Sequence, residues 1–228
     1  MDKVFLSQGY KEHIANNSEP KKECSVQLLG TLPLRTDYTV LDYYALPEGS
    51  PYQLIEGELI MTPAPTRHHQ SISRNLEFLI LNHVKKNNLG FVYDAPIDVY
   101  LDDNNAFQPD IIFISNNNKF IMEDKGILGA PDLVIEIASP STMGYDISAK
   151  QRVYERCGVK EYIMVNPMEK SVSVFLPENK NIHNNTGNEP ENKPNFICHK
   201  IDLKENKTLH IKTLDLKIDL EEVFKPDI

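Results

Sequence analysis

The chain has 228 residues, 40% of them apolar, enough to build the core of one domain. Its 24 basic and 33 acidic residues give a net charge of −9, which weighs against a protein that coats nucleic acid through overall positive charge. Three widely spaced cysteines argue against a disulfide framework or a structural zinc site; with no apolar run of about 18 residues and no basic-then-apolar N-terminus, the expectation is a cytoplasmic protein with no membrane partner.

Residues 1–35 are polar and aperiodic and read as a loosely ordered tail; 36–228 read as a single domain. Thr36 and Asp37 are candidate caps for a short helix through "YTVLDYYALP", which Pro47 and Gly49 end. "YQLIEGELIM" predicts a hairpin turning at Glu56-Gly57. From His68 to Lys86, the apolar residues Ile72, Leu76, Leu79, Ile80 and Val84 have helical spacing with one buried face.

"FVYDAPIDVYL" then predicts a strand, "DDNN" a turn and "FQPDIIFI" the next strand, with Pro109 favouring an edge, a strand start or a bulge. A loop with a weak helical turn runs to Gly129. "PDLVIEIA" predicts a buried strand, "DISAKQRVYERCG" a helix with Gly158 as its C-cap, and "KEYIMVN" and "SVSVFL" two more strands. Residues 178–195 are rich in Asn and read as a disordered loop insertion. "KTLHIKTLDLKIDLEEVF" closes the chain with a strand and a short helix. The order predicts an α/β fold of mixed α+β type, a central mixed sheet flanked by helices, with an N-terminal hairpin.

The candidate chemistry lies on Asp110 and Glu136, acids in two adjacent predicted strands, and on Lys150 in the helix that follows. Two carboxylates and a nearby ammonium make a minimal site for metal-assisted phosphodiester cleavage, because hard cations such as Mg²⁺ prefer oxygen ligands. Glu136 lies between Ile135 and Ile137, and a charge there is costly to bury unless it is paired or binds a metal. The blander readings are a polar strand end for Asp110, a buried ion pair for Glu136 and a solvated helix lysine for Lys150. No glycine-rich phosphate loop, nucleophile elbow or zinc-spaced Cys/His pair is present. Cys157, beside Gly158, reads as a packing residue.

The blocks "YQLIEGELIMTPAP", "HHQSISRNL", "PIDVYL", "QPDIIFI", "GAPDLVIEIASPST", "DISAKQRVYERCGVKEYIMVNP" and "LKIDLEEVF" occur in an order that resembles the PD-(D/E)XK nuclease superfamily. More closely, they resemble the restriction-endonuclease-like domains of the Uma-two family, over about Tyr38 to Phe224. The resemblance implies a restriction-endonuclease-like core, dependence on Mg²⁺ or Mn²⁺, DNA as substrate, and a homodimer. It implies that Asp110, Glu136 and the backbone carbonyl of Ile137 hold the metal. The superfamily's lysine two positions after the acid is missing, since that position is Ala138; the matching residue is Lys150. Glu58, favoured over Glu56 by the family pattern, and His69 are further site candidates, and Gln108, Asp146 and Tyr154 are candidates to line the cleft. Two alternatives stay open at this point: a non-catalytic interaction or oligomerisation module that keeps the nuclease fold, and a metal-dependent hydrolase of another phosphate ester.

Overall fold

Two tight local devices open the ordered part of the chain. In helix α1 (Val40–Tyr44), Thr39 and Asp42 form a capping box, so the cap is Thr39 and neither Thr36 nor Asp37. The hairpin of β1 (Tyr52–Ile55) and β2 (Glu58–Met61) turns at Glu56 and Gly57, with φ of 48° and 84°. A Cβ on Gly57 would lie 2.6 Å from the Thr36 carbonyl, so the second turn position requires glycine. The computed structural model describes residues 36–139, 145–178, 196–204 and 206–226, with 145–147 described by backbone alone. The expected tail and all but the first residue of the Asn-rich insertion lie outside these residues.

Helix α2 (Arg67–Asn87) is stopped by Asn88 in the left-handed conformation. Each of the next two predicted strands is split. "FVYDAPIDVYL" becomes β3 (Gly90–Asp94) and β4 (Val99–Asp102), and "FQPDIIFI" lies across β5 (Asn105–Phe107) and β6 (Ile111–Ser115). Pro96 and Pro109 sit in the two breaks, and neither can donate to a strand ladder. A 3₁₀ turn (Asn116–Ile121) leads to two short strands absent from the sequence reading, β7 (Met122–Glu123) and β8 (Gly126–Leu128).

The remainder is β9 (Leu133–Ile137), α3 (Tyr145–Cys157), β10 (Glu161–Asn166), β11 (Ser171–Pro177), β12 (Phe196–Asp202), β13 (Thr208–Ile211), β14 (Leu216–Asp219) and α4 (Leu220–Val223). Strand β12, which follows the insertion, and the β13–β14 pairing were not foreseen. The strands make two six-stranded sheets and a two-stranded one, where the sequence suggested one central sheet. The first runs β2-β1-β5-β4-β8-β7 and the second β12-β11-β10-β9-β6-β3. Two of the crossings between them fall at the proline breaks.

The second sheet is buried on both faces. Ile111, Phe113 and Ile135 pack with Ile72, Leu76 and Ile80 of α2, while Ile112, Val134 and Tyr162 pack with Val153 and Tyr154 of α3. Alternation along each strand therefore feeds two different cores, which is why these strands read as near-continuous apolar runs.

Asp132 ties β6, β9 and β10 together at the end of the sheet away from Asp110 and Glu136. Its side chain is fully buried; it accepts the Ser115 N–H at 2.7 Å and pairs with Lys160. Burial raises its pKa, but Lys160 and the Ser115 N–H outweigh burial and hold the carboxyl below its ordinary value. A depressed folded-state pKa contributes stability above the unfolded value of about 3.9 that is lost as pH falls through the folded one. Asp132→Ala should therefore cost about 2 kcal/mol at neutral pH, with the deficit shrinking below about pH 4, as urea denaturation would show.

Candidate active site

The register of the second sheet sets the site. Strands β6 and β9 are antiparallel with Ile111 opposite Ile135. One residue further, Asp110 lies opposite Glu136, in the crossing segment just ahead of β6 and not inside a strand. Three contacts fix it there: its carbonyl accepts from Ala95 N–H at 3.1 Å, Oδ2 accepts from Ile137 N–H at 2.7 Å, and His69 Nε2 lies 3.3 Å from Oδ2. His69 comes from the first turn of α2, where Thr66 Oγ1 accepts its N–H at 3.2 Å. Its side chain is 10% exposed, so it belongs to the interior of the site and is not a surface histidine.

Helix α3 supplies the partners of Glu136. Lys150 Nζ and Tyr154 Oη, four residues apart and so on one helix face, donate to the same Glu136 oxygen, Oε1, at 3.0 and 2.7 Å. Lys150 is 8% exposed at its side chain and lies 5.5 Å over the Phe107 ring. Tyr154 is wholly buried, edge-on to Phe107 and against Tyr162. The helix lysine inferred in place of Ala138 thus reaches the buried acid. Ala138 itself continues the ladder through its N–H to Val165 O at 2.8 Å.

Charges here are strongly coupled. Burial pushes the Glu136 carboxyl above its ordinary value; the Lys150 charge opposes this, the Asp110 charge reinforces it, and Tyr154 opposes it. For His69, burial lowers the pKa, but Asp110, the Ile137 backbone and the Glu136 charge outweigh it and raise it above its ordinary value; Nδ1 is buried without a hydrogen-bond partner among the described residues. Burial, then the Glu136 charge, keeps Tyr154 a phenol donor.

Each carboxylate spends one oxygen on the protein. Asp110 Oδ1 and Glu136 Oε2 have no protein partner among the described residues, and neither is a wholly buried orphan. Two such oxygens and the Ile137 carbonyl are hard donors that suit Mg²⁺ or Mn²⁺. Among the described residues no group of three or more His, Cys, Asp or Glu side chains is arranged to hold a metal ion.

Other sequence candidates fall in different places. Glu58 pairs across the hairpin with Ile55, on the face that packs toward Phe107 and Tyr154. It is half-buried and makes no hydrogen bond or ion pair among the described residues, and no contact joins it to Asp110 or Glu136. Glu56 lies in the turn and pairs with Arg152 at 3.1 Å. The Asp146 side chain lies outside the described residues. Burial, then the Asp102 charge, pushes the Cys157 thiol up to about 12, in keeping with a packing role.

Gln108 braces the site from one layer out. Its N–H donates to Gln53 Oε1 at 3.0 Å and its amide to Asp98 Oδ1 at 2.9 Å. Asp98 also accepts from Tyr43 Oη at 2.7 Å and Tyr100 Oη at 3.2 Å. The sequence reading missed Gln53, Asp98 and both tyrosines. The signal was available in Asp98, an acid within the apolar run "PIDVYL", as Glu136 is within "LVIEI".

A family model described as "Uma2: Putative restriction endonuclease" matches residues 40–196. The solved structure of "a putative nuclease belonging to DUF820" from Anabaena variabilis is similar in fold, with a TM-score of 0.63 and 21% identity over 82% of this chain and 97% of that one. No curated protein matches the chain.

The Tyr154 hydroxyl lowers the Glu136 pKa by favouring the ionised form. Tyr154→Phe should therefore raise the pKa of Glu136 relative to the unmodified protein, read by carboxyl-carbon NMR titration; an unchanged value would contradict the assigned bond.

Proposed function

The chain belongs to the Uma2 family, and from that premise we propose that it is a Mg²⁺- or Mn²⁺-dependent DNA endonuclease working as a homodimer. The observation that carries this reading is the opposed pair Asp110 and Glu136, each with one oxygen left to bind. Asp110, Glu136 and the Ile137 carbonyl would hold the ion. When bound, such an ion activates water and neutralises charge on the scissile phosphate.

The remaining roles belong to the chain itself. Lys150, already desolvated, is placed to hold a water beside Glu136 or to stabilise negative charge that develops there. Tyr154 fixes the rotamer of Glu136 through its hydroxyl. His69 holds Asp110 in place through Nε2, 3.3 Å from Oδ2. Glu58, on the hairpin face that packs toward Phe107, would serve only as a further oxygen donor.

One observation favours a second reading. Lys150 and His69 already pair with the two acids, so the protein neutralises its own carboxylates, as a non-catalytic module with a nuclease fold would. Calorimetry with Mg²⁺ or Mn²⁺ separates the two, because the nuclease reading requires binding and the module does not.

The nuclease reading expects metal-dependent nicking or cleavage of plasmid DNA, reduced roughly a hundredfold or more by Asp110→Asn or Glu136→Ala. Lys150→Ala should lose cleavage while keeping ion binding. Equal cleavage by all three variants and the unmodified protein would sink the assignment.

A further inference from the structure

The end of the second sheet that holds Asp110 and Glu136 carries different charged groups along its length. At this end lie the close of β3, the start of β6, the close of β9, the β10–β11 turn and the close of β12. On the β3 side Asp94 is exposed, and the nearby Glu77 carboxyl is pushed up by burial and by the Asp94 charge. Two carboxylates close together there disfavour a phosphate beside them.

The other side differs. The β10–β11 turn is fixed by Asn166 Oδ1, which accepts the N–H groups of Met168 and Glu169 at 3.0 and 3.1 Å. It presents Lys170, held at φ 51°, and Met168, which is 74% exposed. Leu203 N–H donates to Lys170 O at 3.2 Å, which seats Lys204 beside the turn. Many surface cations of this protein are matched by acids: Arg152 by Glu56, Arg156 by Asp102, Lys160 by Asp132. Lys170 and Lys204 are exposed and have no such partner among the described residues. The acids beside them are occupied, Glu169 by Lys200 at 2.7 Å and Asp202 Oδ1 by the Lys204 N–H at 2.9 Å.

We infer that a DNA strand bound at the site runs along this sheet end from Asp110 toward β12, with Lys170 and Lys204 on its phosphates. The inference rests on the nuclease reading and adds a direction to it. From β6 across β9, β10 and β11 to β12 is about 19 Å at the usual strand spacing, the axial rise of about five or six base pairs. A chain of net charge −9 needs such a local patch, since its overall field repels nucleic acid. Exposed Met168 supplies apolar contact for a sugar or base beside the two cations.

The test is binding of a short labelled duplex by fluorescence anisotropy, with Ca²⁺ in place of Mg²⁺, between about 50 and 200 mM salt. Lys170→Ala/Lys204→Ala should weaken binding roughly tenfold or more at low salt and reduce the log–log salt slope by about 2. Lys85→Ala/Lys86→Ala, equally exposed but at the far end of α2, should leave both unchanged. Wild-type affinity and slope in the first variant, or an equal loss in the second, would overturn the path while leaving the nuclease reading intact. Failure of the unmodified protein to bind duplex would overturn both.

Discussion

A carboxylate in the interior of a β-strand must find a counter-charge. Glu136 sits between Ile135 and Ile137, which both pack into the core under α2, while Glu136 itself shares the opposite face with Val134, toward α3. Leaving such an ion unpaired costs several kcal/mol, so the surrounding elements are arranged to meet it. Helix α3 runs behind the sheet with Lys150 and Tyr154 on one turn-to-turn face, and both reach the same oxygen. Phe107 meets Tyr154 edge-on and Tyr162 lies tilted against it, so that face of the helix is packed by aromatic rings.

The second acid depends on a different device. Asp110 lies where the chain crosses from one six-stranded sheet to the other, not on a strand. Its position is set by a backbone bond from Ala95, an amide from Ile137 and the bracing of Gln108 by Gln53 and Asp98. The hairpin and α1 thus serve the site at a distance. They carry Gln53 and Tyr43, which hold the crossing, and the first sheet is in this sense the support for one carboxylate.

Much of this was legible in the sequence, for identifiable reasons. Helix α2 announced itself by apolar spacing, α3 by its stop at Gly158, and Glu136 by being an acid in an apolar run. Asp110 was found, but its setting was misread, because "FQPDIIFI" looks continuous when only alternation is considered. Pro109 was the signal that it breaks, as Pro96 was in the strand before. The division into two sheets was not legible, since apolar runs buried on both faces do not say which neighbour they pair with. Strand β12 was hidden by its polarity: its middle residues are exposed, as an edge strand allows. His69 was undecidable from sequence, because only the fold shows that the first turn of α2 points at Asp110.

The central claim is that the free oxygens of Asp110 and Glu136 together bind a divalent cation. The most direct measurement is a crystal soaked in Mn²⁺ and read for anomalous scattering. The account predicts one peak between the two side chains, at ligand distance from an oxygen of each. An unoccupied site at saturating Mn²⁺, with Lys150 and His69 still paired to the acids, would contradict it.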